Sequence, residues 1–342
     1  MKNKKNGGSI FFVILAIIAV AAGVFVFLEY RDRQSIELAS VPVDTQTETP
    51  GAVGETESAE KKIAGTRITW QGKEYTYNQN IRNILFIGVD KKEEMQIQDY
   101  AGRGGQADCL ILLSLNTKDK TATMLNISRD SIVNLDIYDM SGDFLAEERG
   151  QIALQYAYGD GEKRSCWLQK KAVTELLHDI PINSFIALNI DGISTIADVL
   201  GGVELTVPED YTSIDPSFVK GETIVLKGDK AERYVRYRDI NEFGSNNGRM
   251  ERQNQFLRAL VSLLKKKVSE NSAYVDTLLT AGKPFMTTDM TVDQIKELAD
   301  YDLDETFIKV PGETQPGAEH DEYIIDDDNL MELLIKMFYI SE

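Results

Sequence analysis

The sequence has 342 residues, which is more than one ordinary domain and allows about two. Its 37 Lys and Arg against 55 Asp and Glu give a formal net charge of −18. This balance argues against a general nucleic-acid binder, which would show a basic stripe or tail. Hydrophobic residues make up 42% of the chain, enough for a sizeable core. With only two cysteines and two histidines, the chain holds neither a disulfide framework nor a His-rich metal site.

A membrane anchor is predicted near the N-terminus. Residues 1–9 contain three lysines, and residues 10–28 form an uncharged apolar run, IFFVILAIIAVAAGVFVFL. About 20 such residues cross the hydrocarbon core as a helix, whereas the alternative, a cleaved signal peptide, usually has a shorter run. Basic residues before the run predict a cytoplasmic N-terminus and an extracytoplasmic C-terminal domain on a single-pass protein of the cell membrane.

The segment 29–66 is predicted to be a flexible extracytoplasmic linker. It is rich in Thr, Glu, Ser, Pro and Gly, and it cannot bury enough apolar surface to fold. A flexible coil of about 30 residues has a root-mean-square span of roughly 30 Å, which would hold the folded part near the outer leaflet. A lipid-anchored substrate would then meet the protein at a high effective concentration.

From residue 67 the pattern becomes that of an α/β domain. A hairpin is predicted at 67–77, and continuous apolar runs typical of buried strands follow at 83–89, 109–115 and 121–127. Further strands are predicted at 185–190 and 203–207, and helices at 165–178, 193–200, 229–234 and 249–267. Strands interleaved with helices predict a central mixed sheet covered by helices on both faces.

No linker separates the last part of the chain from this domain. Residues 67–268 are therefore predicted to form the main domain, and residues 269–342 an α/β extension packed on the same core. The extension is predicted to contain helices at 289–301 and 330–338 and a short strand at 307–310. A separate small domain is the alternative, but domain boundaries usually fall in flexible polar linkers.

Six arginines without a lysine among them lie between residues 233 and 258, and they are Arg233, Arg236, Arg238, Arg249, Arg252 and Arg258. Arginine in place of lysine favours planar, bidentate recognition of phosphate. Arg236 and Arg238 would point to one side of an extended chain. Arg249, Arg252 and Gln253 have the spacing of one helical face. The group predicts an anion site, although a surface ion pair remains the alternative for each single arginine.

Acidic residues stand at the ends of the predicted strands. Asp90 follows the strand at 83–89, and Asp108 precedes the strand at 109–115. If these strands are antiparallel neighbours, the two carboxylates share one rim of the sheet, where ligands of open α/β sheets bind. With water and phosphate oxygens they would form a Mg²⁺ site, and the alternative is that they only shape turns.

A third signal follows the strand at 121–127. Arg129 stands at that strand end, and Asp130 would orient it. The alternative is an ordinary turn with a surface ion pair.

Taken together, these motifs resemble the LytR-CpsA-Psr family. The resemblance covers roughly residues 80–268, and it rests on NILFIGVD, ADCLILLSLNTKDKTATMLNISRDS, YAYGDG, LNIDGISTIADVLGGVELTVP, AERYVRYRD and GRMERQ in this order. It implies a membrane-anchored, Mg²⁺-dependent phosphotransferase. Such an enzyme moves a glycan-phosphate from a polyprenyl-pyrophosphate carrier to a cell-wall acceptor, commonly a peptidoglycan hydroxyl.

The resemblance also implies roles for individual residues. Asp90 and Asp108 would hold Mg²⁺, and one of them, left open here, would accept the proton of the acceptor hydroxyl. The predicted catalytic set is Asp90, Asp108, Arg129 and Arg238, and the predicted pyrophosphate-binding set is Arg129, Arg236, Arg238, Arg249, Arg252 and Gln253. The apolar stretch 190–207 would help to line a pocket for the polyprenyl tail, with an ordinary core as the alternative.

Two positions depart from the family pattern. Gln106 stands where the family often has an arginine, and Gln151 where it often has a lysine. Arg103 and Arg149 are close by in the sequence and are predicted to supply the missing charges. Because charge-assisted contacts are each worth about 1.5–3 kcal/mol, these departures bear on substrate identity and catalysis. They leave two alternatives open, a pyrophosphatase acting on the same lipid and a non-catalytic module that binds polyprenyl pyrophosphate.

Overall fold

The structure is a computed structural model, and it describes residues 67–99, 101–237, 271, 273–317 and 321–341, with separate residues of a helical stretch between 252 and 270. The predicted anchor at 10–28 and the linker at 29–66 lie outside the described residues. Within the part of the chain that is described, no helix combines the length and the apolar character needed to cross a membrane.

The described elements alternate along the chain. The strands are β1 (Arg67–Trp70), β2 (Lys73–Tyr77), β3 (Ile81–Val89), β4 (Ala107–Asn116), β5 (Thr121–Ile127), β6 (Ile132–Tyr138), β7 (Phe144–Gln151), β8 (Ser184–Asn189), β9 (Val203–Thr206), β10 (Thr223–Leu226), β11 (Met286–Thr288), β12 (Asp302–Lys309), β13 (Gly312–Pro316), β14 (Asp321–Ile325) and β15 (Tyr339–Ser341). The helices are α1 (Lys163–Leu176), α2 (Ile190–Val199), α3 (Gly228–Arg236), α4 (Tyr274–Gly282), α5 (Val292–Glu297) and α6 (Asp327–Phe338), with 3₁₀ turns at Ile152–Tyr158, Lys283–Phe285 and Leu298–Asp300.

A six-stranded mixed sheet with the strand order β11-β8-β3-β4-β5-β12 forms the centre. β3 runs parallel to β8 and antiparallel to β4, and β5 runs antiparallel to β4 and parallel to β12. Four strands, β3, β5, β8 and β12, therefore end at one edge of the sheet, and β4 begins there. We call this the carboxyl edge.

Both faces of the sheet are buried, as the apolar runs predict. Along β3, Ile84 and Phe86 belong to one apolar cluster, whereas Leu85 and Ile87 belong to the other. The first cluster packs against α2, α3, α4 and the helical stretch that contains Phe256, and the second packs against α1 and α6. The predicted α/β fold, a mixed sheet covered by helices on both faces, is confirmed.

The two cysteines lie in opposite layers. Cys109 belongs to the first apolar cluster and Cys166 to the second, and both are free, buried thiols. Burial raises the pKa of each thiol above its ordinary value. The central sheet therefore separates the two sulfur atoms, and they are not bridged.

The C-terminal elements join both the central sheet and the separate three-stranded sheet β1-β2-β15, and they pack on a helical layer. β12 pairs with β5, β15 pairs with β2, and α6 packs on the second cluster. The helix predicted at 289–301 is wrong in its first turn, since α5 begins at Val292 and a 3₁₀ turn follows it. The two-stranded ribbon of β6 and β7 was not predicted. The residues of β7, FLAEERGQ, are mostly exposed, and their sequence does not alternate between apolar and polar residues.

Candidate active site

Asp108 owes its position to a bulge at the start of β4. Gly88 pairs with Cys109 and Val89 pairs with Ala107, so Asp108 is the extra residue that has no partner on β3. Bulges re-aim a side chain and are common beside active sites. The Asp108 side chain is nevertheless buried, with an exposed fraction of only 2%. A carboxylate this deeply buried requires a charged or hydrogen-bonded partner.

Arg129 supplies that partner from the end of β5. Its Nη1 lies 2.5 Å from Oδ1 of Asp108, and the residue is itself only 8% exposed. Its Nε lies 3.4 Å from Oδ1 of Asp130, and its Nη2 donates to Oε1 of Gln106 at 3.4 Å. The guanidinium is thus held on three sides, and the predicted contact between Asp130 and Arg129 is present.

Asp90 reaches the same place through the backbone of Gln106. The Gln106 N–H donates to Oδ1 of Asp90 at 2.5 Å, and the Asp90 N–H donates to the Gln106 carbonyl at 3.1 Å. The Asp108 N–H donates to that same carbonyl, also at 3.1 Å. Asp90 and Asp108 therefore share one rim of the sheet, at the carboxyl edge, as the sequence predicts for antiparallel neighbours.

The loop 91–106 that joins the two aspartates is fixed at several points. The Gly102 N–H donates to the carbonyl of Ala157 at 2.7 Å. Gly105 has a φ of +87°, and a Cβ added there would lie 2.7 Å from Oδ1 of Asp90. A glycine is needed at this position because of both its backbone conformation and its close approach to the carboxylate.

Most of the predicted phosphate-binding arginines lie between residues 236 and 252, at the end of α3 and in the sequence that follows it. Arg236 is the last residue of α3, so the extended chain predicted for Arg236 and Arg238 is wrong at Arg236. The side chain of Arg236 lies outside the described residues, as do Arg238, Arg249 and Gln253. Arg233 is exposed and pairs with Asp215 at 3.1 Å, which is the surface ion pair kept as the alternative for a single arginine.

Arg252 holds the end of α3. Its Nε donates to the carbonyl of Tyr234 at 2.9 Å, its Nη2 donates to the carbonyl of Tyr237, and its guanidinium lies 4.9 Å from the ring centre of Tyr211. Burial lowers its pKa from the ordinary arginine value. Carbonyls at a helix C-terminus have no partner within the helix, and Arg252 donates to two of them. These contacts stabilise the end of α3, so the role of Arg252 here is structural.

The sequence profile of the LytR_cpsA_psr family matches residues 52–334. The chain belongs to this family. In Bacillus subtilis (strain 168), the polyisoprenyl-teichoic acid–peptidoglycan teichoic acid transferase TagV is 30% identical over 230 residues, which cover 63% of this chain and 54% of that protein. The polyisoprenyl-teichoic acid–peptidoglycan teichoic acid transferase TagU of Enterococcus faecalis (strain ATCC 700802 / V583) is 28% identical over 244 residues. This match covers 70% of this chain and 72% of that protein.

A solved structure shares the fold. The crystal structure of B. subtilis TagV matches with a TM-score of 0.53 at 23% identity, covering 76% of this chain and 96% of that one. The matched part of this chain spans about half the length of the B. subtilis relative, 54%.

The two departures from the family pattern both lie in the site. Gln106 accepts from Arg129 at 3.4 Å. Gln151 donates from Nε2 to Oδ1 of Asp130 at 3.1 Å and to the carbonyl of Asp321 at 3.0 Å. The two neutral side chains thus flank the Arg129–Asp130 pair on either side. The contact with Asp321, on β14, could not be read from the sequence because it joins residues far apart in the chain.

The two predicted compensating cations are both exposed. Arg103 lies on the loop before β4, close enough to Lys91 to affect the pKa of that lysine. Burial lowers the pKa of Lys91, Glu93 opposes this effect, and Arg103 adds to it. Arg149 lies on β7, two residues before Gln151.

The carboxylates of the cluster fit a divalent cation. The contacts above bring Asp108 and Asp130 to the guanidinium of Arg129, and Asp90 to the backbone of Gln106 beside them. Mg²⁺ takes one or two carboxylates and completes its shell with water and substrate phosphates. Within the described residues, no group of three or more His, Cys, Asp or Glu side chains could hold a metal alone.

The structural role of Arg252 can be tested by measuring the free energy of unfolding of variants. Replacing Arg252 with methionine keeps most of its apolar stem and removes both donors to the end of α3. We expect the free energy of unfolding to fall by about 2 kcal/mol, since buried carbonyls lose their partners. Arg233→Met, in which an exposed arginine of the same segment is lost, should change it by less than about 0.5 kcal/mol. Equal unfolding curves in denaturant for the two variants would contradict the assignment.

Proposed function

We propose that the protein is a phosphotransferase that moves a glycan-phosphate from a polyprenyl-pyrophosphate carrier to a hydroxyl of peptidoglycan. Its cofactor would be Mg²⁺, and residues 10–28 would anchor it in the cell membrane with the folded part outside. The observation that carries the proposal is the buried Asp108–Arg129 pair, joined to Asp90 through Gln106 at the carboxyl edge. Family membership and the names of the relatives support the same class of reaction.

The reaction asks for charge neutralisation and positioning more than for covalent help from the protein. The acceptor hydroxyl oxygen attacks the phosphorus that carries the glycan, the bond to the bridging oxygen breaks, and polyprenyl phosphate leaves. Asp90 and Asp108 would hold Mg²⁺, which would supply positive charge against the phosphates when bound. Arg129, fixed by Asp108 and Asp130, presents a guanidinium that needs no reorganisation during the reaction.

Asp90 is the better proton acceptor of the two aspartates. Protonating Asp108 would remove the nearer of the two carboxylates that pair with the buried guanidinium of Arg129, which is unfavourable. Asp90 is only partly buried, and its contact with the backbone N–H of Gln106 fixes it at the rim, where a hydroxyl can approach. We therefore assign the acceptor proton to Asp90, and Asp108 to positioning and metal binding.

Asp90→Asn is expected to lower the transfer rate constant about 10²–10³-fold, because a positioned general base contributes about 10²–10⁴. The assay uses the full-length protein in detergent, a radiolabelled polyprenyl-pyrophosphate-linked glycan and peptidoglycan, with Mg²⁺ or with EDTA. Asp99→Asn is the matched control, since Asp99 is an exposed carboxylate on the same loop. Full activity of the Asp90 variant would remove it as the base.

The products separate the remaining alternatives. Label on peptidoglycan supports the transferase, whereas label only in free glycan phosphate would identify a pyrophosphatase that uses water as its acceptor. Binding of the lipid with neither product, in the presence of Mg²⁺, would identify a non-catalytic module.

A further inference from the structure

The C-terminal part of the chain reaches the carboxyl edge through β12. This strand runs parallel to β5 and pairs Lys309, its last residue, with Asn126. The Val310 N–H donates to the carbonyl of Asn126 at 2.9 Å. Since parallel neighbours end at the same edge of a sheet, Lys309 comes to the level of the β5 end that carries Arg129.

Tyr323 fixes the position of the Lys309 ammonium. The Nζ of Lys309 lies 4.5 Å from the centre of the Tyr323 ring, a cation–π contact. Tyr323 is buried, its N–H donates to the carbonyl of Asp130 at 2.8 Å, and its hydroxyl donates to the carbonyl of Val310 at 2.8 Å. Tyr323, whose ring contacts the ammonium, is thus hydrogen-bonded through its backbone to Asp130, the residue next to Arg129.

The charge on Lys309 is coupled to the site. Partial burial lowers the pKa of Lys309, and the carboxylate of Asp130 acts in the opposite direction, so the two charges are within interaction range. Arg129 is enclosed by Asp108 and Asp130, whereas a large part of Lys309 remains accessible to solvent. A phosphate that approaches this corner of the edge can therefore reach the ammonium without displacing a buried ion pair.

We propose that Lys309 binds a phosphate oxygen of the pyrophosphate-bearing substrate, so that the C-terminal extension supplies a cation to the site formed by Asp90, Asp108 and Arg129. The proposal rests on the proposed function, because it takes the substrate of that reaction as the ligand. It extends the binding site beyond residue 268, onto a strand that lies some 180 positions from Arg129 in the sequence.

A matched control lies at the opposite end of the same pair of strands. Lys120 immediately precedes β5, and its Nζ lies 4.5 Å from the ring centre of Tyr301, which immediately precedes β12. The lysine–tyrosine contact is the same in type and distance, but it stands at the edge away from the aspartates. Lys309→Gln and Lys120→Gln therefore remove equivalent contacts, and only the first removes a charge from the site.

The test measures binding of geranylgeranyl pyrophosphate to the full-length protein in detergent with Mg²⁺, by isothermal titration calorimetry. Loss of one charge-assisted contact at an exposed position should raise the Kd about tenfold in Lys309→Gln. Lys309→Arg should stay within about threefold of the wild type, since it keeps the charge, and Lys120→Gln should leave the Kd unchanged. The Kd of Lys309→Gln should also rise less steeply with salt, a change that a purely structural role would not cause.

The outcomes separate the two proposals. If the wild type binds the lipid and transfers glycan while Lys309→Gln binds as well as Lys120→Gln, the role of Lys309 is overturned and the proposed function stands. Equal weakening in both glutamine variants, with equal losses of thermal stability, would also overturn it, since the cause would then be lost packing. If the wild type neither binds the lipid nor transfers glycan, the proposed function fails, and the role of Lys309 fails with it.

Discussion

Replacing Arg129 with methionine is expected to lower the free energy of unfolding by about 3–5 kcal/mol and to abolish transfer. The loss is large because the variant leaves Asp108, only 2% exposed, without the guanidinium that lies 2.5 Å from its Oδ1. Removing one partner of a buried pair costs more than the pair itself contributes, since the remaining charge stays desolvated. Denaturant unfolding and the transfer assay measure the two effects separately.

A double variant distinguishes stability from catalysis at this pair. Asp108→Asn combined with Arg129→Met removes both charges, so most of the lost stability should return while transfer stays absent. Lys171→Met is the matched control, because Lys171 forms an ion pair with Asp136 at the same 2.5 Å distance, on α1 and β6. That variant should keep its transfer activity. Transfer by the double variant would show that neither charge takes part in the reaction.

The aspartates and Arg129 were predictable because continuous apolar runs mark buried strands. The runs before Asp90, after Asp108 and before Arg129 became β3, β4 and β5, within two residues at each end. Once strands are located, the polar residues at their ends are located as well. The short turn at 116–120 also predicts that β4 and β5 are neighbours, and the structure pairs them antiparallel.

Other parts of the site depend on information that no local pattern carries. The bulge at Asp108 is a matter of register between β3 and β4, and a period-2 pattern of apolar residues does not reveal it when both faces are buried. The strand at 307–310 was predicted, but its place beside β5 was not, so Lys309 could not be connected with Arg129.

Arg252 illustrates a different limit. The residue type and the helical spacing are the same for an arginine that binds phosphate and for one that binds the carbonyls at the end of α3. Only the position of the neighbouring helix distinguishes the two roles.

Replacing Gly105 with alanine is expected to reduce transfer about a hundredfold, although the substitution adds a single methyl group. The new Cβ would lie 2.7 Å from Oδ1 of Asp90 and 2.9 Å from Cγ1 of Val89, so the carboxylate or the loop must move. A displacement of about 1 Å at a reacting group can lower a rate about 10²-fold. The positive φ of +87° adds backbone strain of about 1 kcal/mol, which lowers the free energy of unfolding.

Gly102 separates the displacement of Asp90 from the backbone strain. It lies on the same loop with a φ of +89°, and a Cβ added there would meet no atom within 4 Å. Gly102→Ala should therefore show a similar loss of stability in denaturant unfolding and keep its transfer activity. If both alanine variants lost transfer equally, the conformation of the whole loop would control the reaction, and the contact between Gly105 and Asp90 would not. If neither alanine variant lost transfer, Asp90 would tolerate displacement, which a positioned general base does not. The proton of the acceptor hydroxyl would then have to pass to another group.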